Sequence, residues 1–110
     1  MPVIDWTRVQ ELYEEIGEDA FEEVLSLFVE EVDEALERLH AADTSAASMS
    51  EFHFLKGAAL NLGLSEMAEV CSRGEKMSND AAPTEAEAAS VLTGFPSAIR
   101  VLQDKWRNQI

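Results

Sequence analysis
The sequence is short of cysteine, proline, basic residues and long apolar runs, and each shortage closes a class of explanation. A single cysteine, Cys71, cannot form an internal disulfide, and no partner cysteine or suitably spaced histidine completes a metal site. Only eight Lys and Arg stand against 22 Asp and Glu, a formal net charge of −14. No basic patch can be assembled from so few scattered cations, which argues against nucleic acid or an anionic membrane surface as partner. No stretch approaches the roughly 18 apolar residues of a membrane span, and no basic segment precedes an apolar run at the start. Cytoplasmic location is the default expectation. The chain also lacks a phosphate-cradling glycine loop, an ATP-binding motif and a Ser-His-Asp order, so a kinase acting by itself is excluded.

Few aromatics (five Phe, two Trp, one Tyr), five Gly and three Pro, set against abundant Ala, Leu and Glu, favour helices over sheets. No window alternates in the manner of a strand. At 110 residues and 46% hydrophobic, the chain suits one domain, residues 1–110, with one core.

Asp5 is placed to cap a first helix ending near Ile16, with Gly17 as terminator. A second helix is predicted from Glu18 or Asp19 to about Ala41, with Phe21, Val24, Leu25, Phe28, Val32, Ala35, Leu36 and Leu39 recurring at threes and fours. Thirteen of the 22 acids lie between Asp5 and Glu37, against one base, Arg8, as expected of a solvated helix surface. After a turn at Ala42-Asp43-Thr44-Ser45, a third helix should begin between Ala46 and Ser50 and end at Gly63. Ser65 and Glu66 open a fourth, with Met67, Val70, Cys71, Gly74 and Met77 on one stripe; Cys71 reads there as a small buried hydrophobe. Asn79–Pro83 reads as a linker, and Thr84 with Glu87 as a capping box for the last helix. Val91, Leu92, Phe95, Ile99, Leu102 and Trp106 mark its core face, and Pro96 is expected to kink or split it near residues 93–96. The architecture expected is all-α: an up-and-down antiparallel four-helix bundle with a short additional N-terminal helix.

The stretch from His53 to Leu64 carries the functional signal. At about 100° per residue, Leu55, Ala58, Ala59 and Leu62 cluster opposite His53, while Lys56, Gly57 and Leu60 lie within roughly 60° of it. An imidazole, a cation, a position without a side chain and an apolar residue thus share an outward face. Gly57 costs a helix interior about 1 kcal/mol relative to Ala, and an outward glycine leaves room for a partner's backbone. Met49 would be exposed on the same face, and Asn61 lies at its edge, where it is either solvated or in contact with a partner. His40, at the end of the acidic helix, suits helix-end electrostatics.

The pattern His53-x-Leu55-Lys56-Gly57-Ala58-Ala59-x-x-Leu62-Gly63 resembles the histidine-containing phosphotransfer (HPt) domains of two-component phosphorelays, and the order of helices extends the likeness along the chain. The resemblance implies that His53 accepts a phosphoryl group from a receiver-domain aspartate and returns it to another. Lys56 and Gly57 would serve beside it, with Leu60, Met49 and Asn61 docking the partner. It further implies no intrinsic cofactor, Mg2+ held by the receiver, and receiver domains and a hybrid histidine kinase as partners. The chain is then a phosphotransfer intermediate, expected to be a monomer, and not itself an enzyme. In the family a polar side chain of the following helix often holds the imidazole; Glu75 best fits that position, with Arg73 as second candidate, although a carboxylate departs from the neutral amide often found. Ala58 and Ala59 replace the serine that many members carry after Lys-Gly, a packing variant on this reading. Two alternatives stay open: a docking or inhibitor module of the same fold that carries no phosphate, and an unrelated acidic helical adaptor.

Overall fold
The apolar spacing is realised as helices throughout the computed structural model, which describes residues 4–110. Five helices follow in order, with no strand among the described residues: α1 (Trp6–Ile16), α2 (Glu18–Ala41), α3 (Ser45–Leu62), α4 (Ser65–Asn79) and α5 (Glu85–Gln109). The expected domain of residues 1–110 includes residues 1–3, which lie outside the described residues. Asp5 caps α1, its carboxylate accepting from the backbone N–H of Thr7 at 3.1 Å and of Arg8 at 3.3 Å. Thr44 caps α3 through the Ala47 N–H, so that helix begins at Ser45, one residue before the expected window.

The end of α3 is fixed by backbone geometry. Gly63 adopts a left-handed conformation (φ 74°), and the N–H groups of Leu64 and Gly63 bond back to the carbonyls of Ala59 and Leu60. A Cβ on Gly63 would meet the Asp5 carbonyl oxygen at 2.6 Å, and Asp5 N–H donates to the Gly63 carbonyl. The start of α1 is thereby pinned to the end of α3. Ala81 closes α4 in the same way, with φ 56° and N–H bonds from Ala82 to Met77 and from Ala81 to Ser78. Alanine in that conformation is strained, unlike glycine.

Two local expectations are corrected. The helix α5 runs unbroken from Glu85 to Gln109 with Pro96 inside it, so the split near residues 93–96 does not occur. Pro96 faces solvent, where water can satisfy the Leu92 carbonyl that loses its partner, while the neighbouring Phe95, Ala98 and Ile99 are buried. The Thr84–Glu87 capping box is also absent: Thr84 precedes α5 with ψ 17°, outside the extended range that aims a capping hydroxyl, and makes no side-chain bond to the helix.

The core is one continuous set of buried side chains drawn from all five helices, including Val9, Phe21, Phe52, Leu55, Cys71 and Phe95. The helix α3 packs on α4, α2 and α1; α5 packs on α4, α2 and α1. Aromatic rings join α1, α2 and α5, with Phe21 4.7 Å from Trp106 and 5.3 Å from Tyr13 between centroids. Val24, Phe28, Met77 and Leu92, expected on core faces, are half-buried at its margin.

Candidate functional site
Burial of Phe52, Leu55, Ala59 and Leu62 decides which way α3 turns its other face. The His53 side chain is 71% exposed on that face. Gly57 and Leu60 are exposed with it, and Lys56 is half-buried. Nothing lies within 4 Å of the position that a Cβ on Gly57 would take, so the surface beside His53 is open.

The helix α4 approaches at the neighbouring residue pair. Phe52 is fully buried, and a Cβ on Gly74 would stand 2.5–2.6 Å from three atoms of its ring. Only a residue without a side chain admits the ring there. The next residues, His53 and Glu75, meet as a result: imidazole Nδ1 lies 2.6 Å from Glu75 Oε2, while Lys56 Nζ donates to Glu75 Oε1 at 2.5 Å. The Lys56 hydrogen bond holds the Glu75 carboxyl below its ordinary value, burial opposes this, and the His53 hydrogen bond adds to it. The carboxyl is therefore ionised at neutral pH and can only accept, which places a proton on Nδ1 of a neutral ring and the lone pair on Nε2. That lone pair is on the nitrogen left free by Glu75. Below this cluster, burial pushes the Cys71 thiol up to about 12, with the Glu75 charge assisting and Lys56 opposing. The thiol is inert at neutral pH.

The remaining sequence candidates are more dispersed. Leu60 is 58% exposed. Asn61 is exposed, its Oδ1 accepting a long bond from Arg8 Nη2 at 3.5 Å. Met49, expected to be solvent-exposed, is half-buried, because it lies one turn before the fully buried Phe52 and so beside the core stripe of α3. Arg73 is exposed on α4 and does not enter the cluster; its neighbour Gly74 faces Phe52 and Glu75 takes the His53 contact. His40 is exposed in the last turn of α2. Among the described residues, no group of three or more His, Cys, Asp or Glu is arranged to hold a metal ion, and no helix is long and apolar enough to cross a membrane.

One feature beside His53 was not legible in the sequence. On the side away from Glu75, Phe28 and Glu31 of α2 face Phe54, Gly57, Ala58 and Asn61 of α3 across an open depression of about 350 Å³ that His53 also lines. Phe54 is 38% exposed at its rim, and Leu27 of α2 is 52% exposed. The helical spacing marks Phe28 as a core residue, and only the register of α2 against α3 reveals that it serves this wall as well.

A family model described as Hpt domain matches residues 23–107, well over half of the chain and inclusive of His53, Lys56, Gly57 and Glu75. Comparisons with curated proteins and with solved structures give no match.

Proposed function
From the premise that this chain belongs to the Hpt domain family, we propose that it relays a phosphoryl group between receiver-domain aspartates through His53. The observation that carries the reading is the exposed imidazole whose Nδ1 is held by an ionised Glu75, with Lys56 on the same carboxylate. The Nε2 lone pair attacks the phosphorus of an aspartyl phosphate, the N–P bond forms, and the acyl P–O bond breaks to return a carboxylate. The positive charge left on the ring is shared with Glu75 through Nδ1–H. The reverse step passes the group to a second aspartate.

The chain's contribution is position and electrostatics. Lys56 is close enough to turn its ammonium toward the phosphoryl oxygens and offset part of their charge. Gly57 leaves the approach clear, and Leu60, Met49 and Asn61 surround it as docking contacts. Mg2+ and the aspartates belong to the receiver, so the chain is an intermediate in phosphotransfer and has no turnover of its own. A hybrid histidine kinase supplies the phosphoryl group to the first receiver. The helices α2 to α5 form an up-and-down antiparallel four-helix bundle in this reading, with α1 across one end, as one domain of residues 1–110 that works as a cytoplasmic monomer. The pairs of helices in contact agree with that arrangement.

Transfer from radiolabelled phospho-receivers in the presence of magnesium tests the reading. Acid-labile, alkali-stable label on the parent and none on a His53→Gln variant is the expected result. Binding to a receiver without any label, across a broad panel, would replace it with a docking module that carries no phosphate.

A further inference from the structure
His53 stands on a crest between two unlike flanks. Toward α4, the charges are already matched: Glu75 binds both Lys56 and the imidazole. Toward α2, they are not. Glu31 lines the depression, is exposed, and forms no ion pair or hydrogen bond among the described residues. No lysine or arginine lines that depression, the imidazole of His53 at its edge is already engaged by Glu75, and its walls include two aromatic side chains, Phe28 and Phe54.

A carboxylate beside aromatic walls is a setting for a cation with a flat, weakly hydrated head. Arginine meets it better than lysine, because a guanidinium can lie on an aromatic face while its fork engages a carboxylate. An aliphatic side chain would cover the rings but leave Glu31 partly desolvated and unmatched. An acidic one would meet like charge, on a chain with a formal net charge of −14. The depression also borders Gly57, where the backbone is bare and a partner can approach closely.

We propose that the depression between Phe28, Glu31 and Phe54 receives an arginine side chain of the receiver domain that docks over His53, and so selects among receivers. This rests on the phosphotransfer reading for the identity of the partner and on the depression alone for the chemistry of the side chain. An arginine there lies within the same docking footprint as the phosphoryl acceptor, so receivers lacking it lose affinity without any change at the imidazole.

Two measurements on the full chain separate the two layers. In the first, the 15N-labelled chain is titrated with N-acetyl-arginine amide and, separately, with N-acetyl-leucine amide. Saturable shifts at the Gly57, Ala58 and Asn61 amides with the arginine derivative, abolished in Glu31→Gln, are expected. Equal shifts with the leucine derivative, or full shifts retained in Glu31→Gln, would overturn the assignment. In the second, a receiver that has already passed phosphate to the chain is bound to Glu31→Lys and to Glu30→Lys, which carries the same charge change at an exposed α2 position outside the depression. Glu31→Lys should weaken binding about tenfold and Glu30→Lys by no more than about twofold. Equal loss in both would reduce the effect to net charge and refute the pocket. If no receiver binds the parent chain, the phosphotransfer reading fails by itself, while the amide titration still decides what the depression accepts.

Discussion

Two glycines on facing helices, Gly57 and Gly74, should respond unequally to the same substitution, which stabilises at the first and does not at the second. Alanine is favoured over glycine in a helix interior by about 0.8–1 kcal/mol. At Gly57 nothing within 4 Å opposes the added methyl group. Gly57→Ala should therefore stabilise the chain by close to that amount and raise its melting temperature by roughly 4–6 °C. At Gly74 the same preference meets the Phe52 ring, with Cε1 2.5 Å from the new Cβ and two further ring atoms at 2.6 Å. Restoring an ordinary carbon contact of about 3.5 Å requires a displacement of about 1 Å, and fully buried Phe52 has no free side toward which to move. Overpacking of that kind costs about 1–3 kcal/mol, so Gly74→Ala should be neutral to destabilising by about 2 kcal/mol after the helix preference is counted. A shift of α4 by about 1 Å would also stretch the Glu75–His53 bond beyond hydrogen-bonding range. Urea and thermal melts of both variants, with the His53 ring followed by NMR, provide the assay. A Gly74→Ala chain more stable than the parent, with its Nδ1 contact intact, would refute the packing argument; so would a destabilised Gly57→Ala chain.

The other expectations follow from single contacts. Gly57→Ala should slow transfer from a receiver despite its added stability, read as single-turnover rates beside the melts; an unchanged rate would remove the steric role of that glycine. Glu75→Ala should slow transfer roughly ten- to a hundredfold, the range for losing a partner that orients an imidazole, and Glu75→Gln, which can still accept from Nδ1–H, should slow it less. Because Glu75 is held below its ordinary value of 4.5, its contribution to stability is fully present above that value and is lost as the pH falls through the lower folded-state value. The difference in urea midpoint between the parent and Glu75→Gln should accordingly shrink on acidification, and a difference that grows would contradict the sign. Cys71, buried and pushed up to about 12, should react with a thiol reagent only as fast as the chain opens, so prompt labelling of the folded protein would show the burial to be wrong. Ala81→Gly should stabilise the turn after α4 by about 1 kcal/mol, since alanine holds φ 56° there.

What could be read in advance had local causes. Helix limits at Asp5, Gly17, Ala41 and Gly63 follow from caps and terminators that act within a few residues. The outward group of His53, Lys56, Gly57 and Leu60 follows from helical angle alone, because the core stripe opposite it is unambiguous. Glu75 was reachable only through the family resemblance, as the residue of α4 that best fits the position holding the imidazole. The contact between Phe52 and Gly74 that aims it depends on how closely two helices approach, which no period in either helix encodes. The wall of Phe28 and Glu31 against Phe54 depends in the same way on register between α2 and α3. Pro96 does not split its helix because proline's cost depends on whether water reaches the orphaned carbonyl. Thr84 misleads for a related reason: its dihedral angles are set by the link between α4 and α5, which its side chain does not announce.

The central claim is that Nε2 of His53 is the atom that receives the phosphoryl group. It is tested most directly by long-range proton–nitrogen NMR of the chain, 15N-labelled in its histidines, before and after transfer from an unlabelled phospho-receiver. The account predicts Nδ1–H and an unprotonated Nε2 before transfer, and phosphorus on Nε2 of His53 afterwards, with His40 unchanged. Phosphorus on Nδ1, on His40 or on neither histidine would contradict it.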